Sequence, residues 1–194
     1  AWKTKEDQAA MAERIMEEAD RLTLRVDEIL SMGREQQMPS FQRFDPEEIV
    51  FECIDSWGPR LDQRGVKFNA DLQPTDEIRG DMRGVRDAVS CLLDNALKYH
   101  DPEKEVPTVW LKLYQTGKKV HFEVTDNGIG VPRSMRTQIF DKFVRVEGPG
   151  RGKAGGHGLG LAQLQAIVKR HKGDVTCTEG VDGGTTFTIR IPAA

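Results

Sequence analysis

The sequence of 194 residues lacks the hallmarks of several protein classes. Its three cysteines (Cys53, Cys91 and Cys177) form no C-x-x-C pair, which predicts reduced thiols instead of disulfides or a zinc site. No apolar run approaches the roughly 20 residues of a membrane-spanning helix, and the polar start carries no secretion signal. The net charge of −3 predicts no binding to nucleic acid. We therefore expect a cytoplasmic globular domain without membrane contact of its own.

The first part of the chain predicts one long helix over residues 8–35. Apolar or small side chains recur there at alternating steps of three and four residues: Ala12, Ile15, Ala19, Leu22, Val26 and Ile29. This heptad seam predicts packing on a partner helix, because so polar a helix is unstable alone. Docking on its own domain is the open alternative. Residues 1–38 are assigned to this helical segment and residues 39–44 to a linker.

The remaining residues, 45–194, predict an α+β domain. Helices are expected after the Asp45-Pro46 cap, over residues 81–99 and over residues 159–171. Alternating apolar residues predict five strands, at residues 66–72, 108–114, 120–125, 175–178 and 185–191, the second and third joined as a hairpin at Thr116-Gly117-Lys118. Residues 127–157 are expected to be irregular, with a short helical piece near residues 134–140. Because βαβ units do not alternate steadily, we expect a mixed, mainly antiparallel sheet with helices on one face.

Two polar motifs lie at the ends of predicted elements, one in the last turns of a helix and one after a strand. Asn95 and Lys98 share one face of a helix in Asp94-Asn95-Ala96-Leu97-Lys98-Tyr99. An amide oxygen suits Mg²⁺ and a lysine suits phosphate, although an ordinary solvated helix edge has the same pattern. In Asp126-Asn127-Gly128-Ile129-Gly130, the carboxylate can accept a hydrogen bond from an amine while the glycines admit a flat ring. A tight turn is the alternative there.

Two glycine-rich motifs precede later elements. The run from Gly155 to Gly160 leads into a helix, whose free N–H groups and dipole favour an anion. It has neither the Gly-Lys-Ser/Thr of a P-loop nor the preceding strand of a Rossmann fingerprint. His157 within it is either a phosphate contact or a residue of a lid hinge. The motif Gly183-Gly184-Thr185-Thr186-Phe187 either sets a threonine hydroxyl near the base of a pocket or forms a hairpin turn.

In this order the four motifs resemble the N box and the three glycine boxes of the GHKL ATP-binding domain. That superfamily includes sensor histidine kinases, DNA gyrase, MutL and the ninety-kilodalton chaperone. Residues 139–145 resemble the F box of histidine kinases, and residues 15–22 resemble the second helix of the dimerisation and histidine-phosphotransfer (DHp) hairpin. The resemblance implies a GHKL, or Bergerat, α/β sandwich at residues 45–194, preceded by a partial DHp segment at residues 1–38.

The resemblance implies a site for ATP and Mg²⁺. Asn95 would hold Mg²⁺ against the triphosphate, Lys98 would contact phosphate and Tyr99 would support the wall of the nucleotide site. Asp126 would accept a hydrogen bond from the adenine amine. The remaining implied contacts are the ring neighbours Gly128 and Gly130, the pocket residue Thr185, and the phosphate-binding residues Gly156, His157, Gly158, Leu159 and Gly160.

A mobile ATP lid at residues 131–157 is also implied by the resemblance. Arg145, Arg151 and Lys153 are its candidate phosphate contacts. Phe140 and Phe143 would anchor the lid and meet the phosphotransfer helices. Phosphoryl transfer requires mainly positioning and charge neutralisation, which this set can supply.

Two departures from the family pattern qualify this expectation. Cys91 stands where the N box of the family usually has an asparagine and where GHKL ATPases have a glutamate that activates water. A thiol suits neither role. This departure predicts weak ATPase activity and reduced Mg²⁺ affinity. The four histidines are His100, His121, His157 and His171. None of them precedes the helix at residues 8–35 as an H box would. We therefore expect a fragment, cut in the DHp hairpin loop, that does not phosphorylate itself.

The sequence thus predicts the catalytic, ATP-binding part of a two-component sensor histidine kinase. The γ-phosphate would pass to a histidine on a DHp helix absent from this chain. Expected partners are ATP and ADP, that DHp helix, the receiver domain of a response regulator, and a second copy in the parental homodimer. A GHKL protein-serine kinase of the anti-sigma type and a catalytically weak nucleotide-sensing module are the alternatives. Membrane attachment of the parent is left open.

Overall fold

The computed structural model describes Met11 and residues 40–101, 103–146 and 158–194. The predicted helix at residues 8–35 lies outside the described residues, apart from Met11. The chain divides between residues 39 and 40, and the fold below is that of residues 40–194.

Three helices carry the apolar stripes expected from the sequence: α1 at Pro46–Asp62, α2 at Met82–Lys98 and α3 at Gly160–Arg170. Helix α1 begins at the predicted cap, where Oδ1 of Asp45 accepts a hydrogen bond from the Glu47 N–H at 2.9 Å. This bond satisfies one of the first-turn donors that have no partner within a helix. The described residues give α3 no side-chain cap of this kind.

Five strands form the main sheet: β2 at Lys67–Leu72, β4 at Thr108–Thr116, β5 at Lys119–Asp126, β6 at Asp174–Glu179 and β7 at Thr185–Pro192. Their order across the sheet is β2-β4-β5-β7-β6. The pair β2–β4 is parallel and the other three pairs are antiparallel. The predicted mixed, mainly antiparallel sheet is thus confirmed, and β4 and β5 form the predicted hairpin.

Two further strands are absent from the sequence prediction. Strand β1 (Gln42–Phe44) pairs antiparallel with β3 (Ile78–Gly80). The sequence prediction placed residues 42–44 in a linker. Phe44 lies opposite Ile78 in this pair, and both side chains are buried in the core. Strands of three residues are too short to show a hydrophobic period, so only the tertiary contact reveals them.

The core lies between the helices and one face of the main sheet. Alternate residues of the central strands are buried there, among them Leu111 and Leu113 on β4 and Phe122 and Val124 on β5. Each such side chain contributes roughly 1.5–3 kcal/mol by leaving water. The opposite sheet face is more polar: the Tyr114 ring stacks on the His121 ring with centroids 4.6 Å apart. The alternation fixes the register, because a slip by one residue would turn the apolar set outward.

The three cysteines are free, as the sequence predicts. Burial raises the pKa of the thiol to about 11 in Cys53, to about 12 in Cys91 and to about 11 in Cys177. All three are therefore protonated at neutral pH. In the part of the chain that the structure describes, the helices are too short or too polar to cross a membrane.

Candidate functional site

A buried carboxylate lies at the end of the central strand β5. Asp126 is only 8% exposed, and its Oδ1 accepts hydrogen bonds from the backbone N–H of Gly128 at 2.9 Å and of Thr185 at 3.2 Å. Burial raises the pKa of this carboxyl to about 6, although both hydrogen bonds act to lower it. A carboxylate held so firmly in a poorly hydrated place is suited to accept a hydrogen bond from a ligand.

The glycines around Asp126 allow an approach that other residues would block. Gly130 has a φ of +67°, and a Cβ there would collide with the carbonyl oxygen of Gly183. A Cβ on Gly128 would collide with the carbonyl oxygen of Tyr99, which also accepts the N–H of Ile129 at 3.1 Å. The loop after β5 is therefore fixed against the C-terminal end of α2 and against the turn before β7.

Asn127 organises this loop, a role that the motif alone did not reveal. Its Oδ1 accepts the N–H of Thr108 at 2.7 Å, and its Nδ2 donates to the carbonyl of Val106 at 3.0 Å. The side chain is buried, and it joins the end of β5 to the start of β4. Its position between Asp126 and Gly128 was the only sequence signal, because both partners are main-chain groups distant in sequence.

The start of α3 meets α2 at Cys91. A Cβ placed on Gly160 would lie 3.1 Å from the Cys91 Sγ, which is closer than an ordinary van der Waals contact. Asn95 lies one turn beyond Cys91 on the same face of α2, and Tyr99 lies one turn further still. At 1.5 Å per residue, the eight steps from Cys91 to Tyr99 span about 12 Å. This face of α2 therefore joins the start of α3 to the Asp126 loop.

Two predicted residues take positions that differ from the simplest expectation. Lys98 is exposed and forms an ion pair with Asp94, with 2.5 Å between Nζ and Oδ2. Thr185 is buried, and the group that links it to Asp126 is its backbone N–H, not its hydroxyl. The predicted contact of Lys98 with phosphate stays a prediction.

The base of the predicted lid is closed by the main chain. The N–H of Phe143 donates to the carbonyl of Gly158 at 3.0 Å, and both residues have positive φ, +67° and +69°. Phe140 is buried and meets Phe187 edge to face, with centroids 6.2 Å apart, whereas Phe143 is 55% exposed. Arg145 is exposed, and Leu159 directly precedes α3. The predicted contacts outside the described residues are Arg151, Lys153, Gly156 and His157.

The donor set fits a metal ion carried in by a ligand better than a metal bound by the protein alone. Among residues 40–101, 103–146 and 158–194, no group of three or more histidine, cysteine or acidic side chains is arranged to hold a metal. Mg²⁺ usually keeps several waters and binds through one or two protein oxygens plus substrate phosphates. The amide oxygen of Asn95, one helical turn from Cys91, would fit that pattern.

Comparison with known proteins agrees with this geometry. The family model described as histidine kinase-, DNA gyrase B-, and HSP90-like ATPase matches residues 80–194. The sensor histidine kinase TrcS of Mycobacterium tuberculosis is 35% identical over 185 residues, which are 92% of this chain and 35% of TrcS. The sensor protein RprX of Bacteroides fragilis is 28% identical over 182 residues, likewise 92% of this chain and 35% of RprX.

A solved structure of full-length ShkA in complex with AMPPNP has a TM-score of 0.73 to this chain at 25% identity, over 98% of this chain and 40% of that one. This chain spans about a third of the length of TrcS and RprX. These relatives support the expected GHKL domain of the histidine kinase type and give no support to the serine kinase alternative. The chain belongs to the family of histidine kinase-, DNA gyrase B- and HSP90-like ATPases, as an ATP-binding catalytic domain of the sensor histidine kinase type.

Proposed function

We propose that this chain binds ATP with Mg²⁺ and, within a longer sensor kinase, transfers the γ-phosphate to a histidine on a DHp helix. One observation carries the proposal. A single face of α2 joins a buried carboxylate loop, at Tyr99, to the start of α3, at Cys91, across about 12 Å. This span matches the reach of a nucleoside triphosphate from its base to its terminal phosphates.

At the base end, Asp126 would accept a hydrogen bond from the exocyclic amine of adenine. Gly128 and Gly130 would keep the loop in place beside the ring, since a Cβ on either residue would collide with the main chain of Tyr99 or Gly183. Guanine carries a carbonyl oxygen where adenine has this amine, so two acceptors would face each other. The buried carboxylate therefore supports selection of ATP over GTP.

At the phosphate end, the N–H groups at the start of α3 would donate to phosphate oxygens, helped by the helix dipole. Asn95 would direct its amide oxygen at the metal ion. Bound Mg²⁺ would neutralise charge on the phosphates. Transfer would break the bond from the γ-phosphorus to its bridging oxygen, form a bond to an imidazole nitrogen, and release ADP. The chain's own residues would contribute position and charge.

The histidines of this chain support an acceptor on another segment. His121 and His171 are 8% and 5% exposed, which hinders attack on a phosphate. The exposed His100 has its Nδ1 2.9 Å from the carbonyl oxygen of Leu97. His157 lies outside the described residues. We further propose the partners that this function entails: the DHp helix of the parent, a second copy in the parental dimer, and the receiver domain of a response regulator.

The test follows the γ-phosphate. The chain is incubated with γ-labelled ATP and Mg²⁺, with and without a separately expressed hairpin that contains an H box. We expect acid-labile label on the hairpin and little label on this chain. Acid-labile label on the chain itself would show that one of its own histidines is the acceptor.

A second measurement tests the metal assignment. Asn95→Ala is expected to weaken ATP binding in Mg²⁺ and to leave binding in EDTA unchanged. Asp87→Ala is the matched control, because Asp87 is exposed on the same helix, two turns from Asn95, and pairs with Arg86. If Asn95→Ala bound ATP with an unchanged dependence on Mg²⁺, Asn95 would not be the metal ligand.

A further inference from the structure

A glycine on each helix allows α2 and α3 to pack closely at two points. A Cβ placed on Gly84 would lie 3.4 Å from the Cγ2 of Ile167, near the end of α3. A Cβ placed on Gly160, the first residue of α3, would lie 3.1 Å from the Sγ of Cys91. Ordinary contacts of this type begin near 3.4 Å, so the second point is the tighter one. Cys91 thus limits how closely the start of α3 can approach α2.

The Cys91 thiol has no evident chemical role at this position. Burial raises its pKa to about 12, and Asp94 adds to this rise while Lys98 opposes it. The thiol therefore stays neutral and is neither a general base nor a charged ligand at neutral pH. What remains is its volume, in contact with the helix start that faces the phosphates.

We propose that Cys91 is a positioning residue whose size sets the distance between the start of α3 and Asn95. This inference rests on the proposed function, because it concerns the phosphate end of the ATP site. The N–H groups of α3 and the amide of Asn95 must act on one triphosphate together, and a misplacement of about 1 Å can cost about a hundredfold in the rate of a reaction that depends on such positioning. Asp126 and its glycines lie at the other end and do not depend on this contact.

A double-mutant cycle tests the contact. Gly160→Ala adds a Cβ 3.1 Å from the Sγ, so that the thiol or the start of α3 must move by a few tenths of an ångström. We expect Gly160→Ala to raise the Kd for ATP about fivefold and to leave the Kd for adenosine within about twofold. Cys91→Ala removes the opposing atom. The double variant Cys91→Ala/Gly160→Ala should therefore return to within about twofold of the wild-type Kd for ATP.

Ser90→Ala supplies the matched control. Ser90 is the neighbour of Cys91 on α2, but its hydroxyl faces Cys53 on α1, 4.0 Å from that Sγ. Combined with Gly160→Ala, it should not restore ATP binding. Calorimetry on the full 194-residue chain gives both dissociation constants, and thermal unfolding without nucleotide verifies that each variant folds. Should Gly160→Ala fail to fold, Cys91→Val enlarges the other side of the same contact and should likewise weaken ATP but not adenosine.

The possible outcomes separate this inference from the proposed function. A wild-type chain that binds neither adenosine nor ATP would refute the proposed function and this inference with it. If the wild type binds both and Cys91→Ala fails to rescue Gly160→Ala, the proposed function stands and the positioning role is wrong. An equal loss of adenosine and ATP in Gly160→Ala would also overturn the inference, since it would indicate a general structural effect.

Discussion

Replacing Asp126 with asparagine is expected to stabilise the folded chain while it weakens the binding of adenine. The side chain is 8% exposed, and burial raises the pKa of its carboxyl from 3.8 to about 6. The folded chain therefore holds this proton more tightly than the unfolded chain does. Because the folded pKa is the higher one, ionisation of Asp126 costs stability, and stability falls as the pH rises from about 4 to about 6.

The size of the cost follows from the same pKa. A difference of one in pKa corresponds to about 1.36 kcal/mol. The rise from 3.8 to about 6 therefore lowers the free energy of unfolding by about 3 kcal/mol at pH values above 6. Asparagine at position 126 carries no charge, and its Oδ1 can still accept from the N–H groups of Gly128 and Thr185. We therefore expect Asp126→Asn to raise the free energy of unfolding at pH 7.5 by up to about 3 kcal/mol.

Binding is expected to change in the opposite direction. An amide in place of the carboxylate loses a charged acceptor, which costs about 1–3 kcal/mol of adenosine affinity and reduces the preference for ATP over GTP. Urea unfolding at several pH values and calorimetry with the two nucleotides measure both effects on one protein.

Asp174→Asn is the control, because this carboxylate is on the same sheet but far more exposed. Burial acts to raise the pKa of Asp174, yet hydrogen bonds from Lys119 and Arg190 lower it overall. Its replacement should not stabilise the chain and should leave ATP binding unchanged. Lower stability of Asp126→Asn at pH 7.5 would show that the hydrogen bonds to the charged form outweigh burial. An unaltered preference for ATP over GTP would remove Asp126 from the adenine site.

Two further pairs of substitutions, each a test with its control, are compared by urea unfolding. Gly117 and Gly130 both have positive φ, +59° and +67°, so alanine is strained at either position. A Cβ would collide with backbone atoms only at Gly130. Gly117→Ala should cost about 1 kcal/mol from strain alone, and Gly130→Ala about 1–3 kcal/mol more; equal costs would contradict the predicted collision. His171→Ala should cost about 1–3 kcal/mol, because Nε2 of this buried ring accepts the Asp81 N–H at 2.8 Å. The exposed His100→Ala should change stability by less than about 0.5 kcal/mol, and a similar loss in both would refute the role of His171.

The elements that the sequence predicted are those with strong local signals. The Asp45 cap, the stripe of α2 and the hairpin around Gly117 each rest on residues adjacent in sequence, and all three are present. Strands β1 and β3 rest instead on a pairing between Gln42 and Gly80, far apart in the chain. Nothing within three residues specifies such a strand. The same reason explains why residues 42–44 were expected in a linker.

The candidate site likewise has a part that the sequence predicted and a part that it did not. The Asp126-Asn127-Gly128 motif predicted a carboxylate beside glycines, and the turn after β5 places both together. The partners that hold the motif were not predictable, because they are main-chain groups such as the carbonyl of Tyr99 and the N–H of Thr185. Main-chain groups carry no sequence signal of their own. Their contribution becomes visible only when the chain is folded.

The two ends of the site are held by interactions of different kinds. The Asp126 loop is fixed by hydrogen bonds to the main chain, including the bond of 3.1 Å from the Ile129 N–H to the Tyr99 carbonyl. The start of α3 instead faces the uncharged Cys91 thiol on α2, and packing has no preferred direction. Directional bonds fix the position of the loop, whereas the position of the helix depends on the size of the side chains that lie between it and α2. The Asp126 end is therefore held by hydrogen bonds, and the α3 end by the size of the side chain at position 91.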